Sequence, residues 1–274
     1  MSGGLTLWGP SMLPFSLEQR IEAAQAGGFE FTSVIPWELR RAEAGGQSLE
    51  EIRARHEDAG IGICLVDPLA SWLPEFDPPA EIGEDDPLKG AFSAHEVFAI
   101  CEELGVELVT ALALFVPPVE ADAGAEHFAA ACDHAAEHGV RLQLEFIPGT
   151  GIADIGLAWE IVEKAGRGNG GLLVDSWHFF RSDPDYELLS SIPGERIFAV
   201  QIEDAPARPA ENLAWESLHG RLVPGDGDLD LARFMATVPA GDRFVGPEVF
   251  SDELWTLEPA EIGRLLSERT RALL

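Results

Sequence analysis

The chain has 274 residues, 46% of them hydrophobic, with 48 acidic side chains against 18 basic ones and a formal net charge of −30. That composition can build one large core, and barrels of alternating strands and helices reach about 250 residues as single units. The acidity excludes duplex DNA and anionic membranes as partners, because phosphate binding needs a Lys/Arg surface that is missing here.

Short apolar runs recur along the chain, each followed by an amphipathic helical stretch. Leu5–Trp8 reads as the first strand, and a helix opens at Ser16, where Ser16 and Gln19 match a capping box. Gly27 and Gly28 stop that helix, and Phe31–Ile35 follows as a strand. Ser48 and Glu51 open the second helix, and Ile61–Val66 is the third strand. Ser93 caps the third helix, Leu108–Phe115 is strand four, and Ala125–His138 is the next helix. Arg141–Ile147, Gly171–Val174, Arg196–Ile202 and Phe244–Val249 complete the strands. They alternate with helices at Ile155–Ala165, Tyr186–Ser191, Leu229–Thr237 and Pro259–Leu273.

Eight strand–helix pairs at this length predict an α/β fold, a (β/α)8 TIM barrel forming a single domain over residues 1–274. A doubly wound open sheet is the alternative. It would put a glycine-rich phosphate turn after the first strand, and LWGPSMLPF is not one. Cys64, Cys101 and Cys132 lie in apolar stretches without CxxC spacing, and so read as buried thiols. No run approaches the roughly 18 apolar residues of a membrane span. The N-terminal residues lack the basic region and apolar run of a signal peptide, so a cytoplasmic protein is expected.

Three strands end in an acid flanked by apolar residues: Glu145 in LQLEFIP, Asp175 in GLLVDSWH and Glu248 in FVGPEVF. Strand seven ends in Gln201. In a barrel these four side chains converge at the C-terminal mouth, where barrel chemistry sits. Three clustered carboxylates repel unless a cation neutralises them, so the set reads as a divalent-metal site.

Strands five to eight resemble the xylose-isomerase-like sugar isomerase/epimerase superfamily. The resemblance rests on LEF-P at 144–148, Asp175-x-x-His178, Gln201-x-x-Asp204, the Pro224–Asp230 turn and Glu248. It implies Glu145, Asp175, Gln201 and Glu248 as metal ligands, His178 on a substrate oxygen, and Arg208 as an arginine following the strand-seven ligand. Arg221 is a second candidate substrate contact. Trp8 and Trp37 are candidates to line the mouth, with Trp72, Phe115 and Trp177; core filler is the other reading of each. His219 stays open as a loop histidine, whereas His56, His95, His127, His134 and His138 read as surface residues of helices.

The implied chemistry is proton transfer beside a carbonyl through an enediolate, with Glu145 and Glu248 as the acid–base pair. That makes a metal-dependent isomerase or epimerase of a small keto-sugar or related hydroxy-carbonyl compound the leading expectation. A dehydratase of the inosose or 3-dehydroshikimate type, and a non-catalytic binding protein, are the alternatives. An all-oxygen ligand set favours Mn²⁺ or Mg²⁺, with Zn²⁺ or Co²⁺ also admissible. Relatives of this kind are often dimers or tetramers, which leaves a homo-oligomer open. Of the two lysines, Lys164 falls on a helix and only Lys89 near the mouth, which argues against a Schiff base.

Overall fold

The computed structural model describes residues 3–79 and 92–274; Lys89 lies outside them. Eight parallel strands follow one another in chain order: β1 Thr6–Leu7, β2 Phe31–Val34, β3 Gly62–Leu69, β4 Leu108–Leu112, β5 Arg141–Glu145, β6 Gly170–Asp175, β7 Ile197–Gln201 and β8 Phe244–Gly246. A parallel bridge between Leu5 and Val245 brings the last strand back to the first, and Val245 N–H donates to Gly4 O at 3.0 Å. The expected TIM barrel is what forms. Gly246 is needed at this seam, where a Cβ would stand 1.7 Å from the Thr6 carbonyl oxygen.

The helices pack outside the strands. They are α1 Leu17–Gly27, α2 Pro36–Ala44, α3 Leu49–Ala59, α4 Ala94–Leu104, α5 Ala121–Glu137, α6 Ile155–Ala165, α7 Ser176–Arg181, α8 Tyr186–Ser191, α9 Leu213–His219, α10 Leu231–Thr237 and α11 Pro259–Arg271. Ser16, Ser48 and Ser93 each close a full capping box with the residue three positions on. Three helices, α2, α7 and α9, were not expected from the sequence. Strand four stops at Leu112 rather than Phe115, because Phe115 takes φ 55° and leaves the extended region. No helix among the described residues is long and apolar enough to cross a membrane.

The main core lies between the outer strand faces and the helices, and α1 with α11 closes a second cluster beside β1. A smaller set drawn from across the barrel, including Leu65, Leu108, Leu173, Ala199 and Phe244, fills the lumen beneath the mouth. All three cysteines are free and buried, as expected. His56 departs from its expected surface position. It is buried, and its Nδ1 lies 2.9 Å from Ile52 O.

Beside the mouth, α1 and α2 are joined by a buried ion pair. Arg20 donates to both Glu38 carboxylate oxygens, at 2.8 and 2.5 Å. Removing one member strands a buried charge, so Glu38→Ala is expected to cost roughly 3–5 kcal/mol. Urea unfolding checks this; a loss under about 1 kcal/mol would show that water reaches Arg20.

Candidate functional site

Strand alternation delivers the acids. In register, Asp175 pairs with Gln201, and Gln201 with Gly246, two residues before Glu248. Glu145, Asp175, Gln201 and Glu248 are all buried at this level. Asp175 has two tasks. One oxygen caps α7 by accepting from the His178 backbone N–H at 2.7 Å, and the other accepts from Arg221 Nη1 at 2.9 Å. The Asp-x-x-His spacing therefore follows from one helical turn. That turn places His178 Nε2 3.3 Å from Glu145 and 3.8 Å from Asp175.

Arg221 is the cation the described residues supply to this cluster. Its Nη1 also lies 3.2 Å from the Glu248 carbonyl oxygen, 3.4 Å from Glu248 Oε2 and 3.9 Å from Glu203 Oε2. The guanidinium sits over Trp177 at 5.2 Å and over Phe250 at 4.9 Å. Buried Glu216 on α9 fixes the loop that carries it. Glu216 accepts from Trp177 Nε1 at 3.0 Å and Arg181 Nε at 2.6 Å, which ties α9 to α7.

The sequence motif around Asp204 has a structural role. Its carboxylate accepts from the backbone N–H groups of Ala205, Gly225 and Leu229, organising the Pro-Gly turn. A Cβ at Gly227 would approach that carboxylate to 2.4 Å, so glycine is required there.

Burial raises Glu145 well above the usual carboxylate range, and the charges of Glu248, Asp67 and Asp175 add to the effect. Burial likewise raises Glu248 against the pull of Arg221, and it raises Glu203. Burial pushes Asp67 up to about 7, opposed by a hydrogen bond with Thr110. Burial alone would raise Asp175 too, but His178 and Arg221 beside it hold it below the usual range. His178 is pushed down to about 3 by burial, so its ring is neutral at pH 7 and offers a lone pair.

A model of the xylose isomerase-like TIM barrel matches residues 21–269. The chain belongs to that family. It is 32% identical to a 3-dehydroshikimate dehydratase of Pseudomonas aeruginosa over 247 residues, 86% of this chain and 36% of the relative. The chain thus spans little more than a third of that enzyme's length. It is 31% identical to an inosose isomerase of Bacillus velezensis over 182 residues, 63% of this chain and 64% of the relative. The crystal structure of IOLI protein with a binding zinc atom shares the fold at a TM-score of 0.81. It is 21% identical and matches 100% of this chain and 98% of its own.

In this family member the donor set suits a divalent cation. Glu145, Asp175 and His178 each offer a ligand atom within 4.8 Å of the others. Both amide atoms of Gln201 are buried without a hydrogen-bond partner, as is His178 Nδ1. Buried polar atoms left open in this way call for an ion or a ligand. With Glu145, Asp175, Glu203 and Glu248 around one guanidinium, the mouth carries surplus acid.

The other sequence candidates divide. Trp8 is fully buried beside β8, its backbone N–H donating to Pro247 O, and its indole Nε1 has no partner. Trp37 lies on the first turn of α2 and lines a cleft with Pro14, Phe15 and Arg41, to which none of the four candidate ligands contributes. Arg208 is exposed on the loop after β7 and is not brought to the cluster. His219 is partly exposed and pairs with Asp252 at 3.0 Å. Trp72 is core, donating to Leu112 O at 2.8 Å. Sequence reasoning assigned no role to Asp67, Glu203, Glu216 or Arg181. Glu203 was findable, because it stands two residues past Gln201 on the same side of the chain.

Proposed function

We propose that this protein is a divalent-metal-dependent enzyme that removes the proton beside the carbonyl of a hydroxylated ketone, and that loss of water follows. The observation that carries the reading is the pair of buried glutamates, Glu145 and Glu248, flanking Asp175 and Gln201 at the barrel mouth. Burial raises both carboxyls, which makes each a stronger base toward a carbon-bound proton than a free carboxylate.

Glu145, Asp175, Gln201 and Glu248 would hold the cation, with His178 within reach of the same position; bound there, it polarises the substrate carbonyl. One glutamate takes the α-proton. Neutral His178 leaves Nδ1 free for a substrate oxygen, and Arg221 contributes fixed positive charge as the enediolate develops. Dehydration is favoured by likeness to 3-dehydroshikimate dehydratases over 86% of the chain. The inosose isomerases support a second reading, in which the proton returns to the neighbouring carbon. The oxygen donors favour Mn²⁺ or Mg²⁺, whereas the imidazole of His178 would admit Zn²⁺ or Co²⁺.

The test is to strip the protein of metal, reload it with each ion separately, and offer 3-dehydroshikimate and inosose. Loss of one water from 3-dehydroshikimate, read by mass spectrometry, is the expected result. Rearrangement of inosose at unchanged mass selects isomerisation instead. Inertness toward both substrates with every ion would overturn the reading.

A further inference from the structure

Arg221 joins two of the candidate ligands through a single atom. Its Nη1 donates to Asp175 Oδ2 at 2.9 Å, at the end of β6. The same atom lies 3.2 Å from the carbonyl oxygen and 3.4 Å from Oε2 of Glu248, beyond β8. Both Asp175 oxygens are thereby held, since Oδ1 accepts from the His178 N–H at 2.7 Å. Each carboxylate oxygen has a second lone pair, so Asp175 can still bind an ion, in a direction that its two donors fix.

The guanidinium is itself held by three elements. Nε donates to Ser217 O at 2.9 Å and Nη2 reaches Ser217 Oγ at 3.5 Å, both on α9. The rings of Trp177 on α7 and Phe250 beyond β8 pack against it. The backbone beneath is clamped as well. The Arg221 N–H donates to Phe250 O at 3.0 Å, while Leu222 and Asp204 exchange hydrogen bonds of 2.8 and 2.9 Å. The side chain is only 2% exposed, which leaves it no open face for a substrate.

We propose that Arg221 is a positioning residue for the divalent cation, aligning Asp175 and Glu248 and touching no substrate; the assignment rests on the metal-dependent reading. A planar fork of rigid donors can satisfy Ser217, Asp175 and Glu248 at once, and an ammonium on a flexible stem cannot. A mere counter-charge would need no such geometry and would only repel the cation. Outer partners of this kind orient the ligands, and their loss costs about 10–100-fold in metal affinity.

The test titrates metal-stripped wild type and Arg221→Lys with Mn²⁺ and Zn²⁺ by calorimetry, and records the visible spectrum of each protein loaded with Co²⁺. The substitution keeps the charge and removes the fork. Kd is expected to rise about 10–100-fold, and the Co²⁺ bands to change because the ligand directions change. Glu38→Ala, which breaks the ion pair between α1 and α2, controls for general loosening and should leave both readouts at their wild-type values. An unchanged or lower Kd, or unchanged Co²⁺ bands, in folded Arg221→Lys would overturn the assignment, as would an equal rise of Kd in Glu38→Ala. Should Arg221→Lys not fold, NMR of wild type carrying ¹⁵N-labelled arginine decides. A guanidinium that aligns ligands keeps its hydrogen bonds, and so its hindered Cζ–Nη rotation, when Mg²⁺ or Zn²⁺ saturates the protein. Rotation freed by the cation would reveal a displaced counter-ion and overturn the assignment. Wild type that binds no divalent cation would overturn the metal-dependent reading together with this one; a bound cation whose affinity ignores Arg221→Lys overturns the assignment alone.

Discussion

Replacing Glu145 or Glu248 by Gln is expected to lower turnover by about 10²–10⁴-fold, and to abolish deuterium uptake at the substrate α-carbon in D₂O. The amide keeps the side chain's shape and a carbonyl oxygen but accepts no proton. Stability should hold or rise, because each carboxyl sits buried among like charges that burial and repulsion already push toward the neutral form. Exchange surviving in both glutamate variants would place the base elsewhere. Wild-type turnover without any solvent exchange would instead point to internal hydride transfer and sink the proton-transfer mechanism.

The barrel was legible because helix starts and strand ends carry local chemistry. Ser16, Ser48 and Ser93 announce their helices through side chains that bond backbone N–H groups three residues on. The unexpected helices lack so clear a signal. α2 begins at Pro36 directly after a strand, and its N-cap Ile35 makes no side-chain bond. α7 is capped by Asp175, an acid read from sequence as a ligand and nothing else. The acids at strand ends were legible for a related reason: alternation fixes which side chains face inward once the strand is recognised.

Contacts set by loop paths were not legible. Arg208 and Arg221 are thirteen residues apart in one connection and looked equivalent. The fold separates them because Glu216 docks α9 onto α7, which drives Arg221 into the acids and leaves Arg208 in solvent. Asp67 was visible at its strand end. Its neighbour Thr110 stands on the next strand, and no local pattern in the sequence joins the two.

The metal-free protein is expected to lose stability as pH rises from about 6.5 to 8, and a saturating divalent cation is expected to cancel that loss. Asp67, Glu145, Glu203 and Glu248 all have folded pKa values above their ordinary ones, with Asp67 at about 7. Above those ordinary values the folded state holds more protons than the unfolded chain. Stability therefore falls with pH until each folded value is passed. His178 works in the opposite direction, since its value drops to about 3 and stability rises with pH up to 6.5. His56, lowered by burial as well, acts the same way, and both contributions level off only about one pH unit above 6.5, whereas that of Asp175 is complete well below neutrality. The buried cysteines are raised to about 12 from 9.0 and matter only at higher pH. Four raised acids oppose two fading histidine contributions, so between 6.5 and 8 the acids set the sign of the slope, most clearly in its upper half. A cation held by ionised ligands binds more tightly as pH rises, and at about 100 times its Kd it adds about 2.7 kcal/mol. Melting temperatures of chelated protein across this range, with and without Mn²⁺ or Zn²⁺, read both effects. Asp175→Asn should lose the cation-dependent gain, because it removes a ligand charge from the centre of the set. A melting temperature that climbs from pH 6.5 to 8 without metal would mean that Arg221 alone compensates the acids, and the surplus charge inferred for the mouth would not exist.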